Sequence, residues 1–157
     1  MTQHEASRLK VVAHLRDGKL IKGYTDIVAP ETLDQLLQQG PFPLPEQVPL
    51  RAAGARQAQA IDMESLKALF FVKSFEGRNQ YQELTFFDAH PPVLGLWVRI
   101  KYFDGEASEG VVHNSLHYLM NPGFFIKPPD PQSNNKLIYV LKSSLVDFRV
   151  LGVRSSY

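Results

Sequence analysis

Four groups of residues in this 157-residue chain have types and spacings that could do chemistry. His113 and His117 stand four apart, a spacing that puts two imidazoles on one face of a helix, where they could share a metal ion. On a strand, at about 3.3 Å per residue, they would lie about 13 Å apart. No further ligands crowd around them in sequence, so no metal site is expected. Asp17 and Asp104 could form a carboxylate pair, but each precedes a glycine between two alternating runs, and a turn accounts for both. Ser143-Ser144 lacks the glycine-flanked setting of a nucleophilic serine, and no glycine-rich phosphate loop occurs. With no cysteine there is neither thiol chemistry nor a disulfide framework. The expectation is a protein that is not an enzyme, with no catalytic residues, no metal and no cofactor.

The fourth group points to binding. Between residues 127 and 136, Pro128, Pro129 and Pro131 stiffen a loop carrying Asp130, Gln132, Ser133, Asn134 and Asn135. Polar side chains on a semi-rigid loop are how small scaffolds display binding sites, because little entropy is lost on association. The same residues can also bond their own backbone and hold the loop shut. A second candidate surface lies in the strand expected over 66–73. Leu66, Ala68, Phe70 and Val72 share one strand face, and Leu69 and Phe71 the other, so both faces are apolar and both should be buried. Phe70 and Val72 are therefore the candidate interface, against the other half of the chain or another subunit. Charge argues the same way. Lys+Arg minus Asp+Glu is 10 − 9 for residues 1–78 and 7 − 7 for residues 79–157. Few phosphate neutralisers are on hand, so nucleic acid is weakly supported as a partner. Phe124, Phe125 and Tyr118 could stack bases, yet aromatics at strand spacing are more often core. No apolar run approaches membrane-spanning length and the N-terminus is polar, so no membrane partner is expected and the default location is cytoplasmic. A protein partner or self-association remains the leading expectation.

The elements that would position these residues come from a repetition. VVAHLRDGKLIKGYT, from residue 11, recurs as VRIKYFDGEASEGVV, from residue 98, at an offset of 104 − 17 = 87 that also carries Gly23 onto Gly110. IDMESLKALFFV, from residue 61, recurs as VLKSSLVDFRVL, from residue 140, at 145 − 66 = 79. Asp-Gly between alternating runs predicts hairpins with two-residue type I′ turns, and the internal glycines predict sharp bends. Strands are expected over 9–16, 19–27, 58–63, 66–73, 96–103, 106–113, 124–127, 137–141 and 145–151, and one short helix near 31–39. Pro41, Pro43, Pro45 and Pro49 mark an extended loop. The chain should thus be mainly all-β: a small barrel over 1–87 with a proline-rich insertion, and a second over 95–157, related by internal duplication.

The apolar strand, Asp-Gly turn and glycine-bearing strand resemble the first motif of Sm and Sm-like proteins, which are bent five-stranded SH3-like barrels. In the second copy Tyr118, Met120 and Asn121 extend the likeness. Where that family places Arg-Gly for RNA, this chain has Lys142-Ser143-Ser144 and, in the first copy, Glu64-Ser65. The resemblance therefore implies the fold and not the RNA pocket; Sm-like RNA binding is the alternative to a non-enzymatic binding or scaffold module. Across nearly its whole length the chain also resembles a group of uncharacterised bacterial proteins of unknown function, through DGKLIKGYT, LKALFFVKSFEG and GFFIKPPDPQSNN. That likeness implies tandem architecture and no activity.

Overall fold

The structure, a computed structural model, describes residues 9–26, 45–75, 95–113, 121–129 and 133–154. Within them run strands β1 (Leu9–Leu15), β2 (Leu20–Thr25), β3 (Gln47–Ala52), β4 (Gln59–Asp62), β5 (Leu66–Val72), β6 (Gly95–Tyr102), β7 (Ala107–Val112), β8 (Gly123–Ile126), β9 (Asn135–Leu141) and β10 (Leu145–Arg154). Two 3₁₀ turns, Met63–Ser65 and Lys142–Ser144, join β4 to β5 and β9 to β10. Among the described residues there is no α-helix; the helix expected near 31–39 lies outside them.

Both Asp-Gly hairpins form, but not with the two-residue turn read from the sequence. A type I′ turn needs positive φ at both central residues. Gly18 (φ 92°) and Gly105 (φ 91°) have it, while no non-glycine residue among the described ones does. Instead Gly18 N–H donates to Leu15 O (3.0 Å) and Leu15 N–H to Lys19 O (2.9 Å). The second hairpin repeats this, with Gly105 N–H on Tyr102 O (2.9 Å) and Tyr102 N–H on Glu106 O (2.8 Å). Each is a three-residue loop whose left-handed glycine closes a bulge. The aspartates brace it: Asp17 Oδ1 accepts from Lys19 N–H (2.9 Å) and Asp104 Oδ1 from Glu106 N–H (3.1 Å).

The strands form two antiparallel sheets, one ordered β4-β3-β2-β1-β5-β9-β8 and the other β10-β6-β7. β7 also meets the residue after β8, through paired bonds between Val111 and Lys127 of 3.0 and 2.9 Å. Read outward from β10 the C-terminal order is β10-β6-β7-β8-β9, matching β5-β1-β2-β3-β4. The sequence leads one to expect two closed barrels; no closed barrel forms among the described residues. The reason is β5. One edge pairs with β1 (Ala13 opposite Leu69) and the other with β9 (Leu69 opposite Tyr139), so neither is left to close on β4. The larger sheet consequently runs across the expected boundary between the two units.

β3 corrects another expectation. Its six residues include Pro49, assigned above to an extended loop. Proline has no N–H for a ladder, but β2 pairs with β3 only at Ala52 and Arg51. At Pro49 the β2 side requires only an acceptor, and its carbonyl takes the Thr25 hydroxyl at 2.7 Å.

Two apolar clusters hold the layers together. One joins Val11, Ala13, Leu50, Leu66, Leu69 and Phe71 to Phe125, Leu137, Tyr139 and Leu141. The other collects Val98, Ile100, Tyr102, Phe124, Ile126, Ile138 and Val140 with Ala68, and Phe70 packs against it. β9 thus serves both clusters, alternate side chains entering each. The internal glycines mark close strand crossings. A Cβ on Gly23 would collide with Arg51 O and Leu50 Cδ2, and one on Gly110 with the Ile126 side chain and Lys127 O. Because the obstacle at Gly23 is backbone, Gly23→Ala should lower unfolding stability by about 1–3 kcal/mol, the usual cost of overpacking, measured by denaturant titration against wild type.

Candidate functional site

The charged groups gather where β5 meets the β6–β7 hairpin. Lys67 is only 6% exposed. It is the extra residue of a bulge, since β1 pairs His14 with Ala68 and then Leu15 with Leu66. The bulge turns the ammonium toward the second hairpin, where Nζ reaches Asp104 Oδ2 at 2.7 Å and Glu106 Oε2 at 2.5 Å. It also lies 4.4 Å from the centre of the Tyr102 ring. Burial works against the lysine's charge, but the two carboxylates outweigh it and raise its pKa. The hydrogen bond from Lys67 holds Asp104 below the usual carboxylate range, while burial, then Glu106 and Asp104, push the Tyr102 phenol up. Beside them the His14 ring stacks on Phe70, centroids 4.0 Å apart. A second tie runs from the first hairpin, where Arg16 donates to Ser143 O at 3.1 Å and its guanidinium sits 4.9 Å from the Phe103 ring centre. Buried Ser144 donates to Leu66 O at 3.3 Å. This cluster locks strands together; its cation and carboxylates are engaged with one another.

The sequence-derived binding loop is split. Asp130 and Gln132 lie outside the described residues, as does His117. Ser133 is buried and its Oγ accepts from Asn135 N–H at 2.9 Å. Asn134 clamps the end of β5: its Oδ1 accepts from Ser74 N–H (3.0 Å) and its Nδ2 donates to Ser74 O (2.8 Å). Val72 is buried and Phe70 half-buried. Sequence reasoning missed Lys67, although a lone lysine inside LKALFFV is itself a signal, because lysine is almost never buried without a partner.

Among the described residues two surfaces are open to a ligand. One is a cleft of about 530 Å³ lined by Tyr24, Asp26, Pro49, Arg51, Arg56 and Ala58. Its Arg51 is turned onto the Tyr24 ring (5.1 Å) and donates to Ala55 O (3.2 Å). The other is β10. Leu145, Phe148, Val150 and Val153 stand opposite Tyr102, Ile100, Val98 and Leu96, so they share the apolar face of β6. The β6 residues are at most 6% exposed, whereas Val150 is 48% and Val153 55% exposed. Among the described residues β10 pairs with β6 alone and its outer edge carries no strand. Asp147 and Arg149 on the opposite face bond each other at 2.8 Å.

The junction predicts an acid sensitivity. Burial first, and the Lys67 charge second, hold the His14 pKa down against the pull of Glu106 and Asp104. The unfolded chain takes up that proton near 6.5 and the folded chain only at lower pH. His14 therefore contributes fully above about pH 7 and its contribution falls as pH drops through that value. Asp104, lowered in the fold, loses its contribution only in the more acid carboxylate range. The denaturation midpoint should fall between about pH 7.5 and about pH 5.5, and the fall should be smaller in His14→Gln. Removing both anions (Asp104→Asn with Glu106→Gln) should destabilise more than Lys67→Met, because only the former strands a buried ammonium.

Among the described residues no helix is long and apolar enough to cross a membrane, and no group of three or more histidines, aspartates and glutamates could hold a metal. Neither a curated protein nor a solved structure matches the chain. A family of unknown function, DUF6982, matches residues 7–152. With nearly the whole chain inside that match, the protein belongs to the DUF6982 family.

Proposed function

We propose that this chain is a non-enzymatic interaction module, two tandem SH3/Sm-like units over 1–87 and 95–157, and that it takes a protein partner along β10. Support for the duplication comes from bonds that recur at the sequence offsets. Arg16 N–H donates to Ser65 O and Phe103 N–H to Ser144 O, both at 2.9 Å. The bulge residue of β5, Lys67, has its counterpart in Val146, which is the skipped residue between Leu145 and Asp147 of β10. The cysteine-free composition suits a reducing cytoplasm. Against RNA as ligand stands the use of Ser143, whose carbonyl already accepts from Arg16 in the stretch that replaces Arg-Gly.

The observation that carries the reading is the half-exposed apolar face of β10, whose outer edge pairs with no strand among the described residues. An edge strand with free N–H and C=O groups is a template for another strand, and proteins normally blunt such edges with lysine or proline. β10 contains neither. The test is capture from the native host's lysate by tagged wild type and by Val150→Lys/Val153→Lys, compared by quantitative mass spectrometry. Both sites are already about half exposed, so the variant should melt like wild type. The expected result is at least one protein whose capture falls about tenfold, the loss of roughly 1.4 kcal/mol of binding. Identical capture by the two proteins would overturn the reading.

A further inference from the structure

We infer that the strand taken by β10 is β4 of a second copy of this chain, so that copies associate head to tail by the contact β5 and β9 make within one copy. This deepens, and rests on, the reading of β10 as the docking edge. Among the described residues, with β7 joined to β8 through the Val111–Lys127 bridge, two strands keep an open outer edge, β4 at one end and β10 at the other. The offset of 79 carries β5 onto β10 and β4 onto β9. The unit that has its fifth strand covered is the first, by the fourth strand of the second. Among the described residues β10 and β4 have no strand on their outer edges, and they are the fifth and fourth strands that make up that same contact.

The cover explains the exposure. Phe71 of β5 is 5% exposed because Leu137, Tyr139 and Phe125, from β9 and β8, pack in the same cluster. Among the described residues no such layer covers its counterpart Val150, which is 48% exposed. The register follows from the same numbers. Leu69 opposite Tyr139 becomes Phe148 opposite Ala60, and Phe70 opposite Ile138 becomes Arg149 opposite Gln59. At this register β4 is open: Gln59, Ala60 and Asp62 are exposed, and like β10 it carries no lysine or proline. Ala58, Ala60 and Pro49 stand where β9 and β8 have Leu137, Tyr139 and Phe125. They are apolar but small, so the contact between copies is looser than the one within. Because the two surfaces differ, each copy offers one of each, and association proceeds past the dimer unless the rotation closes a ring.

The absence of cysteine allows a direct test. Opposed residues of an antiparallel pair have Cα atoms about 4.5–5.5 Å apart, within disulfide reach. Purified Arg149→Cys and Gln59→Cys, mixed and mildly oxidised, should give a covalent dimer, and the double variant a ladder of higher multimers on a non-reducing gel. Arg149→Cys with Glu64→Cys, out of register, should give at least several-fold less. Two results overturn the head-to-tail contact. One is Arg149→Cys cross-linking to itself as well as to Gln59→Cys, which means β10 meets β10. The other is no cross-link together with wild type sedimenting as a monomer at about 100 µM. If cross-linking fails while lysate capture still depends on Val150 and Val153, β10 docks a different protein; if both fail, β10 is not a docking edge.

Discussion

A strand with a neighbour on each edge and a layer on each face has little access to water, and β5 is in that position, with Phe70 alone of its residues half-buried. Every backbone group of its middle residues must be paired and every side chain must be apolar or have a partner. Leu66, Ala68, Leu69, Phe71 and Val72 meet the condition by composition. Lys67 meets it by geometry: the bulge displaces it from the alternation, and the β6–β7 hairpin supplies two carboxylates. The hairpin can do so only if β9 has docked on β5 in register, because β9 leads through the 3₁₀ turn to β10 and so to β6. Pairing, register and charge neutralisation are one condition, and the larger sheet runs on from β1 through β5 to β9 and β8 because of it.

Much of this was legible in the sequence. The apolar character of Leu66–Val72 on both faces announced a strand buried on both sides, since such a pattern has no solvent face to offer. The paired Asp-Gly sites announced hairpins; the glycines five residues later read as sharp bends, and the structure places them at close approaches to Arg51 O and Lys127 O. These are local signals, written in period and turn chemistry.

What was not legible depends on which edges meet. Asp104 reads from sequence as a turn residue identical to Asp17, and locally it is one, with the same bond to the residue two on. Its second role, holding Lys67, depends on the pairing of β9 with β5, which brings the β6–β7 hairpin to the β5 bulge. The turn type itself was misread because Asp-Gly serves both a two-residue turn and a three-residue loop, and the choice rests on where the flanking strands pair. Closed barrels were expected for a like reason: a unit's pattern does not say whether its fifth strand closes on its own fourth or on a neighbour's. Pro49 reads as a loop residue because it lacks a ladder donor, but its missing N–H faces β2, which pairs with β3 only at Ala52 and Arg51, so no ladder bond is lost there.

The two fifth strands differ in a way that follows from their different circumstances. β5 carries lysine at its bulge and meets a hairpin carrying Asp104 and Glu106. β10 carries Val146 at the same point, 63% exposed, and the corresponding first hairpin carries Asp17 and Lys19, whose charges lie 3.9 Å apart in solvent. A contact between copies would therefore set a valine near a solvated ion pair, with no buried charge to neutralise. A buried lysine makes a contact hard to undo, because separating it strands the ammonium or its anions. A valine on the surface has no such penalty; it loses only the burial of its own apolar area, about 1.5–3 kcal/mol at full cover. The chemistry at the bulge thus makes the contact within the chain costly to open, and would leave an equivalent contact between copies reversible.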